Sequence, residues 1–268
     1  MTGMGGAVVH LGPGLVVALV VLTALAVVAG RLSGLGQERP VLTAVLRATA
    51  QLAAVSAVLV VLVGSLWLAS LFVLLMLTVA AVTAANRVSR QPLRAPGRGR
   101  RVGAAALAIV GGVAPTVALV LASGSVPLRG EAVIPVAGIV IGGAMTATSL
   151  AGRRLRDELQ QRRGEVDAAL ALGFLPRDAV LEVARPVAAT ALVPALDQTR
   201  TVGLVTLPGA FVGVLLGGGS ALEAGAAQLL VLVALLAAEM LAVWATTELV
   251  ARGWYGSAAG AAEVRRVQ

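Results

Sequence analysis

The chain has no cysteine, no lysine and a single histidine, His10, among its 268 residues. The absence of cysteine excludes disulfides, a thiolate nucleophile and a thiolate metal site. A single histidine excludes a multi-histidine metal site within one subunit. The G-x-x-x-x-G-K-[ST] phosphate loop requires a lysine, so this chain has no P-loop with which to hydrolyse ATP. No Ser/His/Asp or metal-hydrolase set is present either, and we predict that the chain is not an enzyme.

Long apolar runs dominate what is present. Hydrophobic residues make up 58% of the sequence, against about 45–50% in soluble domains. A membrane-spanning helix needs about 20 apolar residues, and lipid offers the backbone amides no partner outside the helix itself. We therefore predict an all-α, polytopic transmembrane helical bundle that forms one domain over residues 1–268. It has about seven spans, at roughly residues 11–30, 43–63, 66–85, 102–123, 132–150, 202–216 and 226–250.

All 21 basic residues are arginine, and they are unevenly distributed between the predicted spans. The loops after spans one, three and five and the C-terminal tail hold 19 of them, whereas the alternate loops hold only Arg129; Arg200 lies within the sixth span. Cytoplasmic loops of membrane proteins are enriched in Lys and Arg. We therefore predict an external N-terminus and a cytoplasmic C-terminus. Membrane orientation accounts for the net charge of +8, and no nucleic-acid partner is predicted.

One charged segment, residues 151–186, holds 13 of the 34 charged residues (21 basic and 13 acidic). Opposite charges four residues apart support a helix there, at Arg153/Asp157, Arg154/Glu158 and Arg163/Asp167. The i, i+4, i+7, i+8 rule predicts one buried face, consisting of Val166, Leu170, Gly173 and Phe174. We predict that Gly173 ends this helix through a positive φ, that Pro176 begins a second helix and that Pro186 ends it. The segment is then a helical hairpin on the cytoplasmic side.

The second half of this segment reads Asp167-Ala168-Ala169, three residues, Gly173, nine residues, and V-A-R-P ending at Pro186. This spacing resembles the cytoplasmic EAA loop of ABC-transporter permeases, where a short helix docks on a separate ATPase. The resemblance implies the following ATPase-coupling residues: Glu165, Asp167, Ala168, Ala169, Gly173 and Pro186. The usual loop has Glu in place of Asp167 and commonly an aliphatic residue in place of Arg185. From periodicity alone, an amphipathic hairpin lying on its own bundle is an equal alternative.

A second motif, P-A-L-D-Q-T-R-T-V-G-L-V-T-L-P-G, occupies residues 194–209. Together with the hairpin, it resembles the FetB-type family of ABC-transporter permeases, which is linked to iron export in bacteria. R-A-x-x-Q-L at residues 47–52 and I-P-V-A-G at residues 134–138 extend the resemblance over roughly residues 35–250. The family commonly has Gly-Asn-x-Met in the fifth span, where this chain has G-G-A-M at residues 142–145. The amide that could contact a polar substrate is therefore missing.

Several residues in or near the spans are candidates for a relay or translocation path: Gln51, Met145, Asp197, Arg200, Pro208, Gly209 and Glu239. Ionisable residues at membrane depth usually face the bundle interior or a water-filled path. Asp197 and Arg200 are spaced to pair on one helical face, either within the membrane or at its cytoplasmic surface. Pro208 and Gly209 should break the helix, as a hinge beside the hairpin or as a static kink.

Glu239 could line a cation path, pair with Arg200 or with a second subunit, or be a packing residue. Gln51 is interpreted as an interhelical hydrogen-bonding residue rather than a ligand. Met145 could be a soft metal ligand, although a lone methionine in a membrane helix usually packs. The sequence contains no metal-ligand cluster, and the identity of any metal-binding residue is unknown.

The residues and the resemblance predict the transmembrane subunit of an ATP-driven ABC transporter that exports metal, iron in the family, or another small solute. No cofactor is expected in this chain, because ATP and Mg²⁺ would bind a P-loop ATPase partner. One docking hairpin per chain predicts a homodimer in a 2+2 complex, located in a bacterial cell membrane. Two alternatives remain. A secondary transporter driven by an ion gradient would predict inverted repeats, and a membrane scaffold would recruit an ATPase without flux.

Overall fold

The computed structural model describes residues 12–89 and 96–255, except for the side chains of residues 60 and 61. His10 and four arginines used for the orientation, Arg90, Arg94, Arg265 and Arg266, lie outside the described residues. Within these ranges every regular element longer than a single bridge is helical, which confirms the all-α prediction. The helices are α1 (Pro13–Leu32), α2 (Glu38–Val63), α3 (Leu66–Ser89), α4 (Arg98–Ala122), α5 (Gly130–Gln161), α6 (Arg163–Ala171), α7 (Pro176–Ala189), α8 (Val193–Thr201), α9 (Gly209–Leu216) and α10 (Ala221–Ala251).

Seven stretches of the described chain are helical, long and apolar enough to cross a membrane, and six of them overlap predicted spans. The sixth predicted span, residues 202–216, is wrong, because its first half is a turn and α9 has only eight residues. The sixth spanning stretch is instead Pro176–Thr201, formed by α7, a 3-10 turn and α8. Mostly apolar residues continue from α7 into the start of α8. The helix ends where Val202 adopts extended backbone, and Gly203 follows with a φ of +82°.

The chain forms two compact units, residues 1–64 and 65–268. In the first unit, α1 and α2 pack side by side, and Gly34 and Gly36 in their connection take positive φ values of 66° and 65°. Gln51 of α2 is exposed, and within the first unit its side chain forms no hydrogen bond. The interhelical hydrogen bond predicted for it is therefore not formed between α1 and α2.

The second unit is built on α3, α4, α5 and α10, which meet through an interior rich in alanine. A Cβ atom added at Gly112 of α4 would lie 2.3 Å from the backbone oxygen of Ala238 in α10. One added at Gly143 of α5 would lie 2.2 Å from Cδ1 of Leu235 in α10. Small residues let membrane helices approach closely, and Gly112 and Gly143 do so here on either side of α10.

Arginine-rich helix ends lie together in the second unit. Arg156 near the end of α5 donates hydrogen bonds to the backbone oxygens of Val88 and Ser89 at the end of α3. Arg100 in the first turn of α4 lies 5.6 Å from the ring centre of Trp254, which follows α10. The ends of α3, α5 and α10 and the start of α4 therefore share one side of the bundle. This is the side that the arginine distribution predicts to be cytoplasmic.

Candidate functional site

The charged segment is divided between three helices. Its first part continues α5 without interruption to Gln161, so that α5 reaches 32 residues. A break at Arg162, which the sequence did not predict, separates α5 from α6. The last part is α7, which begins the sixth spanning stretch. Only α6 and its two flanking turns therefore lie wholly outside the spanning helices.

A glycine-dependent turn ends α6. The Phe174 N–H donates to the Ala169 carbonyl at 3.1 Å, and the Gly173 N–H donates to the Leu170 carbonyl at 3.0 Å. These two bonds form a Schellman motif, which needs a residue in the left-handed region. Gly173 supplies it with a φ of +89°. The predicted glycine stop is confirmed, and so is the position of Pro176 in the first turn of α7.

Ion pairs and one buried side chain position α6. Val166 is its one buried residue and packs in a cluster with residues of α5 and α7. Arg162 donates to Glu165 at 2.7 Å and lies 3.7 Å from Glu158. The hydrogen bond from Arg162 holds the pKa of the Glu165 carboxyl below its ordinary value. The predicted Arg163–Asp167 pair forms at 3.7 Å.

Two predicted contacts in this segment are wrong. Glu158 pairs with Arg162 rather than with Arg154. Arg162 lies one helical turn after Glu158, and its N–H still donates to the Glu158 carbonyl at 2.8 Å. The predicted buried face includes Gly173 and Phe174, but Gly173 is exposed and Phe174 is 47% exposed. The helix has already ended at that position, so helical periodicity no longer sets the direction of the side chain.

The tip of the hairpin presents an apolar surface. We call the segment Leu172–Leu175 the hairpin tip. Leu172 is 80% exposed and Leu175 is 68% exposed, next to the half-exposed Phe174. Beside the tip, α6 exposes Glu165, Asp167 and Ala168, whereas Ala169 is half-buried against the bundle. Three neighbouring large apolar side chains outside the spanning helices form a patch of the kind that marks a protein or membrane contact.

Pro186 does not end its helix, contrary to the prediction. It lies inside α7, which continues to Ala189. A proline within a helix leaves the carbonyl four residues earlier without its donor, here that of Glu182. Both residues are on the exposed side of α7, and membrane helices tolerate proline where other groups satisfy the carbonyl.

An ion-pair cluster joins the start of α7 to the end of α10. The Arg177 guanidinium donates two hydrogen bonds to the Glu248 carboxylate, at 2.6 and 2.9 Å. Arg252 donates to the same carboxylate at 2.7 Å, and Arg177 also reaches Asp178 at 2.7 Å. The Glu248 side chain is only 18% exposed. The Glu248/Arg252 pair is visible in the sequence as an i, i+4 spacing, whereas Arg177 lies 71 residues away.

The second motif lies at the opposite end of the sixth spanning stretch from the hairpin. Asp197 and Arg200 pair at 3.6 Å, as predicted, with side chains 60% and 71% exposed. Pro208 precedes α9 in extended backbone and Gly209 begins that helix, so the predicted break is confirmed. Its predicted place beside the hairpin is wrong, because α7 and α8 separate the two. Arg200 therefore pairs with Asp197 and not with Glu239.

Glu239 is buried in the middle of α10, with 8% of the residue exposed. A Cβ atom at Gly143 would lie 2.6 Å from its Oε1 atom, so the missing side chain in α5 makes room for the carboxyl group. No described residue forms a hydrogen bond or ion pair with this carboxyl group. Because Glu239 faces its own bundle, the hypothesis that two copies bring their Glu239 side chains together receives no support.

The remaining candidate in the fifth span is a packing residue in this structure. Met145 is half-buried and packs against the alanine-rich interior. Within the described ranges, no three His, Asp or Glu side chains converge closely enough to hold a metal ion. Glu239 is therefore the one buried acidic side chain on the inner faces of the described helices.

Comparison with known proteins identifies the family. Residues 14–255 match the group described as Uncharacterised protein family (UPF0014). The chain belongs to the UPF0014 family. The UPF0014 membrane protein STAR2 of Oryza sativa is 37% identical over 81% of this chain and 74% of its own length. The UPF0014 membrane protein YjkA of Bacillus subtilis is 33% identical over 73% of this chain and 76% of its own.

A third relative connects this UPF0014 chain to the predicted permease group. The probable iron export permease protein FetB of Escherichia coli is 32% identical over 56% of this chain and 58% of its own length. The resemblance to FetB-type permeases predicted from the hairpin and the second motif is thereby confirmed. No solved structure matches this chain significantly. The chain is thus a multi-pass membrane protein of a permease family.

Proposed function

We propose that this chain is the transmembrane subunit of an ATP-driven transporter whose ATP hydrolysis takes place on a separate P-loop ATPase. The observation that carries the proposal is the apolar hairpin tip on the arginine-rich side. Leu172, Phe174 and Leu175 are exposed together, and they stand beside the exposed acidic residues of α6. A surface of this composition is suited to a protein partner, with an apolar centre and a polar rim.

The contacts of the hairpin indicate how movement of an ATPase would reach the membrane. A partner that displaces α6 also displaces α7, because both helices pack in the same cluster. Arg177 would transmit this displacement to α10 through Glu248. Since α10 carries Glu239 and packs against α4 and α5, the displacement would reach the helices that hold the buried carboxyl group. Packed helices move as rigid bodies over small distances. The contacts from α6 through α7 to α10 require no larger movement than that.

We propose a metal ion, iron foremost, as the exported substrate, with two copies of this chain and two ATPases in the complex. The FetB relative is named an iron export permease, and Glu239 is a buried carboxylate of the kind that faces a path for cations. ATP and Mg²⁺ would bind the ATPase and not this chain. The bacterial relatives support a bacterial cell membrane as the location, although the rice relative shows that the family extends to plants.

A charged substitution at the hairpin tip tests whether the ATPase docks there. Leu172→Asp should abolish the stimulation of ATPase activity when the purified chain is reconstituted with its candidate P-loop ATPase partner. The matched control is Leu128→Asp, which alters a leucine that is 64% exposed in the α4–α5 loop at the opposite end of the bundle. Equal stimulation of both variants and the wild type would remove the hairpin tip as the docking site.

The same vesicles separate the proposal from its two rivals. Transport by the chain without an ATPase, driven by an ion gradient, would establish a secondary transporter. Binding of the ATPase without ATP-dependent flux of any tested metal or small solute would establish a scaffold. ATP-dependent movement of iron or another metal toward the side opposite the ATPase is the result expected here.

The substrate is tested at Glu239. Glu239→Gln keeps the shape of the side chain and removes its charge, so we expect loss of metal transport with normal ATPase binding. Glu131→Gln is the control, because Glu131 is an exposed carboxylate at the start of α5 whose side chain is 60% exposed. Unchanged metal transport by Glu239→Gln would exclude this carboxyl group from the path.

A further inference from the structure

A groove lies between α7 and α10 in the second unit. It encloses a cavity of about 300 Å³, the lower end of the volume range of small-ligand sites. Its walls come from α7, the following 3-10 turn and α10 alone. Trp244 of α10, which is 68% exposed, and Met240, which is 54% exposed, stand along one wall.

The groove changes in polarity along its length. Arg177 and Glu248 line the end near the hairpin, Arg185 lies farther along, and Leu192 and Met240 line the other end. At 1.5 Å per residue, α7 alone extends about 18 Å from Arg177 to Ala189. An occupant that matches this groove has a polar group at the hairpin side and an apolar body directed into the membrane.

The charges in the groove favour an anion. The Glu248 carboxylate is already shared by Arg177 and Arg252, whereas Arg185 has no acidic partner among the described residues. Arg185 lies eight residues after Arg177 in α7, about 12 Å farther along the helix. A guanidinium without a partner at that depth is unfavourable, and its planar donors suit a phosphate group.

We propose that this groove binds an anionic phospholipid of the cytoplasmic leaflet. The lipid phosphate pairs with Arg185, and one acyl chain lies along Leu181, Leu192 and Val243. Basic pockets between transmembrane helices on the cytoplasmic side are suited to anionic headgroups, and Trp244 stands where indole rings favour the membrane interface. Binding would not depend on the ATPase or on the transported substrate, and the bound lipid would touch the same Arg177 that contacts α10.

Lipid retention tests this assignment. The purified chain is freed of lipid and placed in nanodiscs of phosphatidylcholine with or without phosphatidylglycerol, and bound lipids are counted by native mass spectrometry. We expect the wild type to retain phosphatidylglycerol selectively and Arg185→Gln to bind it about tenfold more weakly. Arg153→Gln is the matched control, because Arg153 is an exposed arginine of α5 that bonds to its own helix and does not line the groove.

A second measurement keeps the test decisive if Arg185→Gln fails to fold. Because the chain has no cysteine, Met240→Cys carries a single photoreactive thiol probe in the groove. In native membranes the probe should capture lipid. Capture of a second copy of this chain or of an ATPase would overturn the proposal. Equal retention of phosphatidylglycerol by the wild type and Arg185→Gln, or retention that free phosphate abolishes, would do so too.

Discussion

Where α4 meets α10, a glycine removes side-chain bulk so that the two backbones come into contact, whereas in the hairpin exposed arginines form ion pairs with carboxylates. Gly112 leaves so little room that a Cβ would lie 2.3 Å from a backbone oxygen of α10. In α6, by contrast, Val166 is the one buried residue. A closely packed interior has low compressibility and transmits a displacement directly, whereas exposed ion pairs contribute little to stability. The interior of α4, α5 and α10 is therefore the rigid part, and α6 is the part that a partner can move.

The largest expected effect is a loss of stability in the closely packed interior of α4, α5 and α10. Gly112→Ala would place a Cβ against the backbone of Ala238, and backbone atoms cannot move aside as a side-chain end can. We expect a loss of about 2–3 kcal/mol in the free energy of unfolding, measured by thermal unfolding in detergent.

The neighbouring glycine supplies the control for that prediction. A Cβ at Gly111 would meet no atom within 4 Å, so Gly111→Ala should be neutral or stabilise α4 by up to about 1 kcal/mol. Equal stability of the two variants would contradict the close approach of α4 and α10.

A smaller effect is expected at the hairpin turn. Gly173 has a φ of +89°, and a Cβ in the left-handed region costs about 1–2 kcal/mol. We therefore expect Gly173→Ala to weaken ATPase binding, measured as the concentration needed for half-maximal stimulation, while global unfolding stays near that of the wild type. Gly164→Ala in the same helix has open space and ordinary φ, and it should leave binding unchanged. A global loss of stability in Gly173→Ala would show that the turn belongs to the rigid part.

Local features of the chain were predictable where neighbouring residues decide them. Gly173 was predictable because a glycine at the end of a helical pattern adopts a positive φ cheaply, and the arginine-rich side was predictable from composition. The sixth span was misplaced because Arg177 and Arg185 gave the start of α7 the charge of a cytoplasmic segment. In the structure Arg177 is neutralised by Glu248, which lies 71 residues away, and no local pattern contains that pairing. The contact between Glu239 and Gly143 likewise depends on the packing of α10 against α5, which no local sequence pattern shows.

The ion pair between Arg177 and Glu248, which joins the hairpin to α10, is the next contact to test. Arg177→Gln removes both hydrogen bonds to Glu248, so the hairpin could move without moving α10. We expect ATPase binding to persist and transport per ATP hydrolysed to fall. Arg177→Lys keeps the charge but loses the forked geometry, and it should retain intermediate coupling. Asp178→Asn, which removes only the outer partner of Arg177, is the control, and an equal loss in that variant would assign the effect to general charge.

The smallest effect concerns the pH dependence of the movable part. Arg162 lowers the pKa of Glu165 below its ordinary value of 4.5. A carboxyl group with a lowered pKa in the folded state stabilises that state above the unfolded pKa and loses this contribution as the pH falls through the folded pKa. The attachment of α6 should therefore weaken below pH 4.5, while the interior of α4, α5 and α10 remains packed.

A spin label measures this attachment. Because the chain has no cysteine of its own, Ala171→Cys provides one labelling site. The label should gain mobility as the pH falls from 6 to 3. With Arg162→Gln the label should already be mobile at neutral pH and respond less to acid. Glu182→Gln on α7 is the control, and a pH profile unaffected by Arg162→Gln would exclude this ion pair as the fastening of α6.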